Sequence, residues 1–132
     1  MKRILVADDD PGILEGMETL LSRRYDVVTA RNGEEALERL REAPVDLVVL
    51  DLLMPLLDGE SALARLRESG FHGGIIVMSA HADRLGRTRL LGADDFLVKP
   101  FEFRKLERSI ERLLPRDQSV ARDRNASSSL HH

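Results

Sequence analysis

A chain of 132 residues, 42% hydrophobic and 33% charged, has the size and composition of one soluble globular domain. A formal net charge of −3 argues against direct nucleic-acid binding by this segment, and the absence of cysteine excludes disulfides and thiolate metal sites. No apolar run nears the ~20 residues of a membrane span, Ile4–Ala7 is too short for a signal-peptide core, and the expected setting is cytoplasmic, without membrane contact.

The elements follow in chain order. Arg3–Ala7 reads as a strand that runs into three carboxylates, Asp8, Asp9 and Asp10. Gly12–Arg23 carries Ile13, Leu14, Met17, Leu20 and Leu21 at helical spacing, with Pro11 suited to a first turn. Asp26–Ala30 is a second strand, and Asn32 can cap a helix through Glu42. Asp46–Asp51 is apolar almost throughout, the mark of a strand covered on both faces. Glu60–Ser69 is a helix stopped by Gly70, Ile75–Ser79 a fourth strand, and Asp83–Leu91 a weaker helix ended by Gly92. Asp95–Lys99 is a short fifth strand, and Phe103–Leu114 a last helix with Leu106, Ile110 and Leu113 in phase. Beyond Leu114 the chain turns polar and aperiodic. Residues 1–114 are therefore expected to form the domain and 115–132 a linker or tail. Ser127–His132 has the look of a vector-derived remnant with part of a histidine tag; continuation into a further domain past Pro115 is the alternative.

Five repeats of strand then helix imply an α/β fold, a doubly wound parallel sheet with helices on both faces. Five strands suit the order 2-1-3-4-5, which has its ligand site where the order reverses, at the carboxyl ends of the strands. That edge would collect Asp8 and Asp9 from strand one, Asp51 from strand three, Ser79 from strand four and Lys99 from strand five. Adjacent carboxylates near a core repel and lose hydration. A hard, oxygen-liganded cation such as Mg²⁺, with Mn²⁺ as a substitute, would offset that cost. Metal, ammonium and hydroxyl together could handle a phosphoryl group. Taken singly, each residue has a plainer reading. Asp8–Asp10 could be a solvated loop, Asp10 a helix cap, Ser79 and Phe96 packing residues and Lys99 a solvated strand end. His81 reads as a partly exposed loop residue, and Arg84, Arg87 and Arg89 as the solvated face of a helix or a partner surface.

Four motifs, ILVADDD, VVLDLLMPLLDG, IIVMSAH and GADDFLVKPF, stand in this order between Met1 and Leu114. Together they resemble the receiver domain of two-component response regulators, with its flavodoxin-like, CheY-like fold. The resemblance implies that Asp51 is the phosphoacceptor, taking a phosphoryl group from a sensor histidine kinase or a phosphotransfer protein. It implies Mg²⁺ held by Asp8, Asp9, Asp51 and the backbone carbonyl of Leu53. Ser79 and Phe96 take the switch positions, Lys99 the phosphoryl-contacting lysine, and Pro100 a cis Lys–Pro bond. The output would pass through the surface of helix four, strand five and helix five to an effector protein or a fused output domain. Such a chain is a signalling phosphoacceptor rather than an enzyme. Two alternatives are a pseudo-receiver that works as an interaction module without phosphorylation, and an aspartyl-nucleophile phosphohydrolase. Leu53 occupies the position where the latter commonly carries its acid. Leu53 also cannot hydrogen-bond an attacking water, which implies slow self-dephosphorylation. Lys105 and Ser109 stand where regulators that dimerise through helices four and five carry a glutamate and an arginine, so that dimer is not expected.

Overall fold

The computed structural model describes residues 1–54 and 57–114, apart from the side chain of Leu85. The expected linker and tail, 115–132, lie outside the described residues, as do Pro55 and Leu56. The elements are β1 (Arg3–Ala7), α1 (Pro11–Leu21), β2 (Asp26–Ala30), α2 (Gly33–Glu42), β3 (Leu47–Asp51), α3 (Gly59–Glu68), β4 (Gly74–Ser79), α4 (Ala82–Leu90), β5 (Asp95–Val98) and α5 (Phe103–Leu113). The five strands form one sheet in the order β2-β1-β3-β4-β5, every pairing parallel.

Strict alternation sorts the strand side chains onto two faces. Leu5, Ala7, Val48, Leu50, Ile75 and Val77 face a core built with Ala36 of α2 and Ala62, Leu63 and Leu66 of α3. Ile4, Val6, Leu47, Val49, Ile76 and Met78 face the opposite core, built with Leu14, Met17 and Leu21 of α1 and Leu106 and Ile110 of α5. Strands coated on both sides explain why β1 and β3 read as unbroken apolar runs.

Several boundaries differ from the sequence expectation by one residue, and capping gives the reason in two helices. Asp10 caps α1, its Oδ1 accepting the N–H groups of Gly12 (2.9 Å) and Ile13 (3.3 Å), which puts Pro11 at the first helical position. Asp58 caps α3 by accepting from the Ser61 N–H at 2.8 Å, so that helix begins at Gly59 rather than Glu60. Asp46 lies just outside β3, and its side chain accepts the Arg3 N–H at 2.8 Å. Gly70 and Gly92 end α3 and α4 with φ of +96° and +110°, a conformation that favours a residue without Cβ.

Arg67 is a structural residue that periodicity does not reveal. Its guanidinium donates to the carbonyls of Phe71 (2.9 Å), Gly73 (2.8 Å) and Gly92 (2.8 and 3.0 Å) and pairs with Asp94 at 2.9 Å. It thereby ties the α3–β4 connection to the α4–β5 connection. Arg67→Met keeps most of the stem volume but removes every donor. Each partly buried carbonyl left unpaired costs on the order of 1 kcal/mol, so the variant should lose about 2 kcal/mol or more in urea unfolding. A loss below about 0.5 kcal/mol would show water taking over these carbonyls.

Candidate functional site

β1 and β3 are neighbours, with Ala7 beside Leu50, so the residues that follow them emerge side by side. This brings Asp8 and Asp9 against Asp51 although more than forty positions separate them in sequence. Carboxylate oxygens of all three lie within 4.8 Å of one another. Asp8 and Asp51 are buried, whereas Asp9 faces solvent. Lys99, just past β5, crosses the mouth of the sheet. Its Nζ donates to Asp8 Oδ2 at 2.9 Å and to Asp51 Oδ2 at 3.1 Å. The other carboxylate oxygens of Asp8 and Asp51 are positioned by backbone. Asp10 N–H donates to Asp8 Oδ1 at 3.0 Å, and Leu53 N–H to Asp51 Oδ1 at 3.2 Å.

The electrostatics follow from burial and neighbours. Burial pushes the Asp51 carboxyl above the ordinary carboxylate range and the charge of Asp8 pushes it further, while the Leu53 N–H and Lys99 only partly oppose them. Burial alone would lower the Lys99 ammonium. Its hydrogen bonds and charge contacts with Asp8 and Asp51 outweigh that, and it sits above the usual lysine value. Three carboxylates against one ammonium leave an excess of two negative charges. That excess, the all-oxygen donor set and one solvent-facing carboxylate fit a divalent cation that keeps some of its waters. Asp8, Asp9 and Asp51 are the sole grouping of this kind among the described residues, and His81 has no part in it.

Ser79 ends β4, one step past the Asp51–Met78 pairing, and is fully buried. Its Oγ accepts the His81 N–H at 3.0 Å, and its carbonyl accepts the Lys99 N–H at 2.8 Å. Phe96 on β5 is half-buried against the α2–α3 core, with the guanidinium of Arg89 5.2 Å from its ring centroid. The Lys99–Pro100 peptide is cis. Leu53 is 46% exposed, an apolar side chain standing in water two residues after Asp51.

Two sequence readings change here. His81 is exposed rather than partly exposed, and it precedes α4 without a side-chain capping bond. Arg84 is not part of a solvated face: it is half-buried and, with Arg87, pairs with Glu60 of α3. Asp94 and Asp95 are engaged within the chain. Asp94 takes Arg67 and the Ile75 N–H, and Asp95 takes Ser109 and Arg112. Ser109, a departure in the sequence comparison, is thus a hydrogen-bond partner of β5. Burial opposes ionisation of Asp95, but the donors Ser109, Arg112 and Phe96 N–H prevail and hold its carboxyl below the usual range.

The comparisons with known proteins agree with this geometry. The family model described as response regulator receiver domain matches residues 4–111. The alkaline phosphatase synthesis transcriptional regulatory protein PhoP of Bacillus subtilis (strain 168) is 36% identical over 123 residues, 91% of this chain and 51% of that protein. A probable transcriptional regulator, ycf27, of Cyanophora paradoxa is 46% identical over 121 residues, 89% of this chain and 50% of that protein. The chain therefore spans about half the length of these curated relatives. The response regulator protein TrrA from Thermotoga maritima, in complex with Mg²⁺–BeF, superposes with a TM-score of 0.78 at 37% identity, over 86% of this chain and 100% of that one. No helix among the described residues is long and apolar enough to cross a membrane. With the sheet order, the acidic mouth and the family match in agreement, the chain belongs to the response regulator receiver domains of two-component systems.

Proposed function

We propose that Asp51 is the phosphoacceptor of this receiver and that the domain works as a signalling switch rather than an enzyme. The observation that carries the reading is the convergence of Asp8, Asp9 and Asp51 with Lys99 bridging two of them. An Asp51 carboxylate oxygen attacks phosphorus in line. The P–N bond to a phosphohistidine imidazole of a sensor kinase or phosphotransfer protein breaks, and the imidazole leaves with the bonding pair and takes up a proton. Leu53 N–H holds one Asp51 oxygen and Lys99 the other. Lys99 is also placed to meet the incoming phosphoryl oxygens. Asp8, Asp9, Asp51 and the carbonyl of Leu53 are the groups that would hold Mg²⁺ or Mn²⁺, which supplies positive charge to the transferring group when bound. The Ser79 hydroxyl then bonds a phosphoryl oxygen, Phe96 follows, and the α4–β5–α5 surface is read by an effector protein or a fused output domain. The family setting and the charge of −3 support a cytoplasmic receiver without nucleic-acid contact of its own. The named transcriptional regulators support a DNA-binding output carried elsewhere in a longer protein.

The test is intact-mass analysis after incubation with Mg²⁺ and acetyl phosphate, a small phosphodonor. One added phosphoryl group is expected, absent in Asp51→Asn and absent without a divalent cation. The acyl phosphate should then decay slowly, over many minutes or longer, because Leu53 offers no hydrogen bond to an attacking water; a lifetime of seconds would remove that role from Leu53. A folded protein that takes up no phosphoryl group from either acetyl phosphate or a kinase phosphohistidine would instead be a pseudo-receiver acting through binding alone.

A further inference from the structure

α4 is a weak helix by its own sequence. His81 gives it no side-chain cap, and Gly86 interrupts it at a point where a Cβ would meet nothing within 4 Å. A glycine at an open helical position costs about 1 kcal/mol relative to alanine. Among its described side chains only Thr88 is buried, and Leu90 is 90% exposed. A nine-residue helix of this kind does not persist without tertiary support.

Part of that support is ionic and comes from one residue. Glu60 Oε1 pairs with Arg84 at 3.2 Å and Glu60 Oε2 with Arg87 at 3.3 Å, so both carboxylate oxygens grip the same face of α4, three residues apart. The Glu60 and Arg84 side chains are 21% and 23% exposed, which strengthens that pair over a surface one, while the Arg87 side chain is 71% exposed, so the grip as a whole still weakens with salt. Glu60 is itself firmly placed. The preceding Gly59 donates its N–H to the Leu52 carbonyl at 3.1 Å, and Asp58 caps the helix that Glu60 begins. The strand end carrying Asp51 therefore holds α4 through Glu60. The second handle on α4 also starts in the site: the bond from His81 N–H to Ser79 Oγ, immediately before the helix.

We propose that Glu60, gripped by Arg84 and Arg87, is a charge latch that keeps α4 in its resting position and opposes the change that phosphoryl binding at Asp51 drives. The proposal rests on Asp51 as phosphoacceptor. When the Ser79 hydroxyl turns toward a phosphoryl oxygen, its bond to His81 N–H is disturbed and α4 is pulled at its start while Glu60 holds its middle. Coupling between two sites is reciprocal. Releasing the latch therefore favours the phosphorylated state, and phosphorylation loosens the latch.

The experiment is hydrogen exchange of the full chain as wild type, Glu60→Gln, Arg84→Gln and the double variant, in Mg²⁺ buffer at low and high salt. Either single change should speed exchange across α4 by about fivefold, leaving α1 and α5 unchanged, and the double variant should add little to either. High salt should speed α4 exchange in the wild type but not in Glu60→Gln, a dependence that a merely packed helix would lack. Phosphoryl uptake from limiting acetyl phosphate should rise by a similar factor in Glu60→Gln. Unchanged α4 exchange in both single variants, or faster exchange without faster uptake, overturns the latch. A wild type that accepts no phosphoryl group overturns the Asp51 reading instead, and the exchange comparison on resting protein still decides whether Glu60 holds α4.

Discussion

Replacing Asp51 with asparagine is expected to raise the melting temperature of the metal-free protein by about 4 °C or more while removing the phosphoacceptor. The side chain is buried beside Asp8, and its carboxyl is pushed upward by burial first and by the Asp8 charge second. A carboxyl with a raised folded-state pKa favours the fold while protonated. Its contribution is fully present below the unfolded-state pKa of about 3.9 and is lost as pH rises through the folded-state value. At neutral pH the ionised Asp51 is thus a net burden on the apo fold. Asparagine has nearly the same shape, can still accept from Leu53 N–H, and carries no charge. Lys99 keeps Asp8 as its partner, so the ammonium is not stranded. A gain of about 1 kcal/mol corresponds to roughly 4 °C for a domain of this size. Thermal melts in EDTA read the gain. Adding Mg²⁺ should stabilise the wild type as RT ln(1 + [L]/Kd) and act far more weakly on the variant. A lower melting temperature in EDTA for Asp51→Asn would mean that the acidic mouth is not under electrostatic strain.

Gly59→Ala should be strongly destabilising, with the closest backbone clash of any glycine in the chain. A Cβ there would stand 2.4 Å from Leu52 Cα and 2.5 Å from the Asp51 carbonyl oxygen, both backbone atoms. Neither can swing aside as a side chain would, so α3 must retreat or the end of β3 must bend. Overpacking of this kind costs about 3 kcal/mol or more, and the displaced atoms carry Asp51. Chemical denaturation should show the loss, and the residual folded protein should accept phosphoryl groups more slowly than wild type. Gly16→Ala is the control. That Cβ meets nothing within 4 Å and alanine favours the helix, so the change should leave stability equal or slightly higher.

The course of the chain was legible in its sequence because two kinds of signal agreed. Apolar runs of three or four residues leading into Asp8, Asp51, Ser79 and Lys99 marked the strands and their carboxyl ends together. Parallel topology then placed those ends on one edge without further information. Arg67 and Glu60 were not legible in that way. Each acts on partners in other elements, at distances set by how α3 packs against the α4–β5 region, and neither breaks or continues any periodic pattern. The arginines of α4 looked like a solvated face because their spacing alone cannot show that Glu60 lies opposite. Ser109 stood out as a departure, and its role became visible only when α5 was seen to lay it against Asp95.

All four strand pairings are parallel, which means that none of them joins strands linked by a tight turn. Every ladder closes only after an intervening helix has been laid across a face. Folding must therefore cover loop-closure entropy before long-range contacts return it, and the rate should fall below that of a helical bundle of equal length. The three aspartates and Lys99 span β1, β3 and β5, so they meet only once the central and edge ladders are both in place. The mutual repulsion of the carboxylates is then felt late. Charge changes at this mouth should alter mainly the unfolding limb of a chevron plot, and hardly the refolding limb.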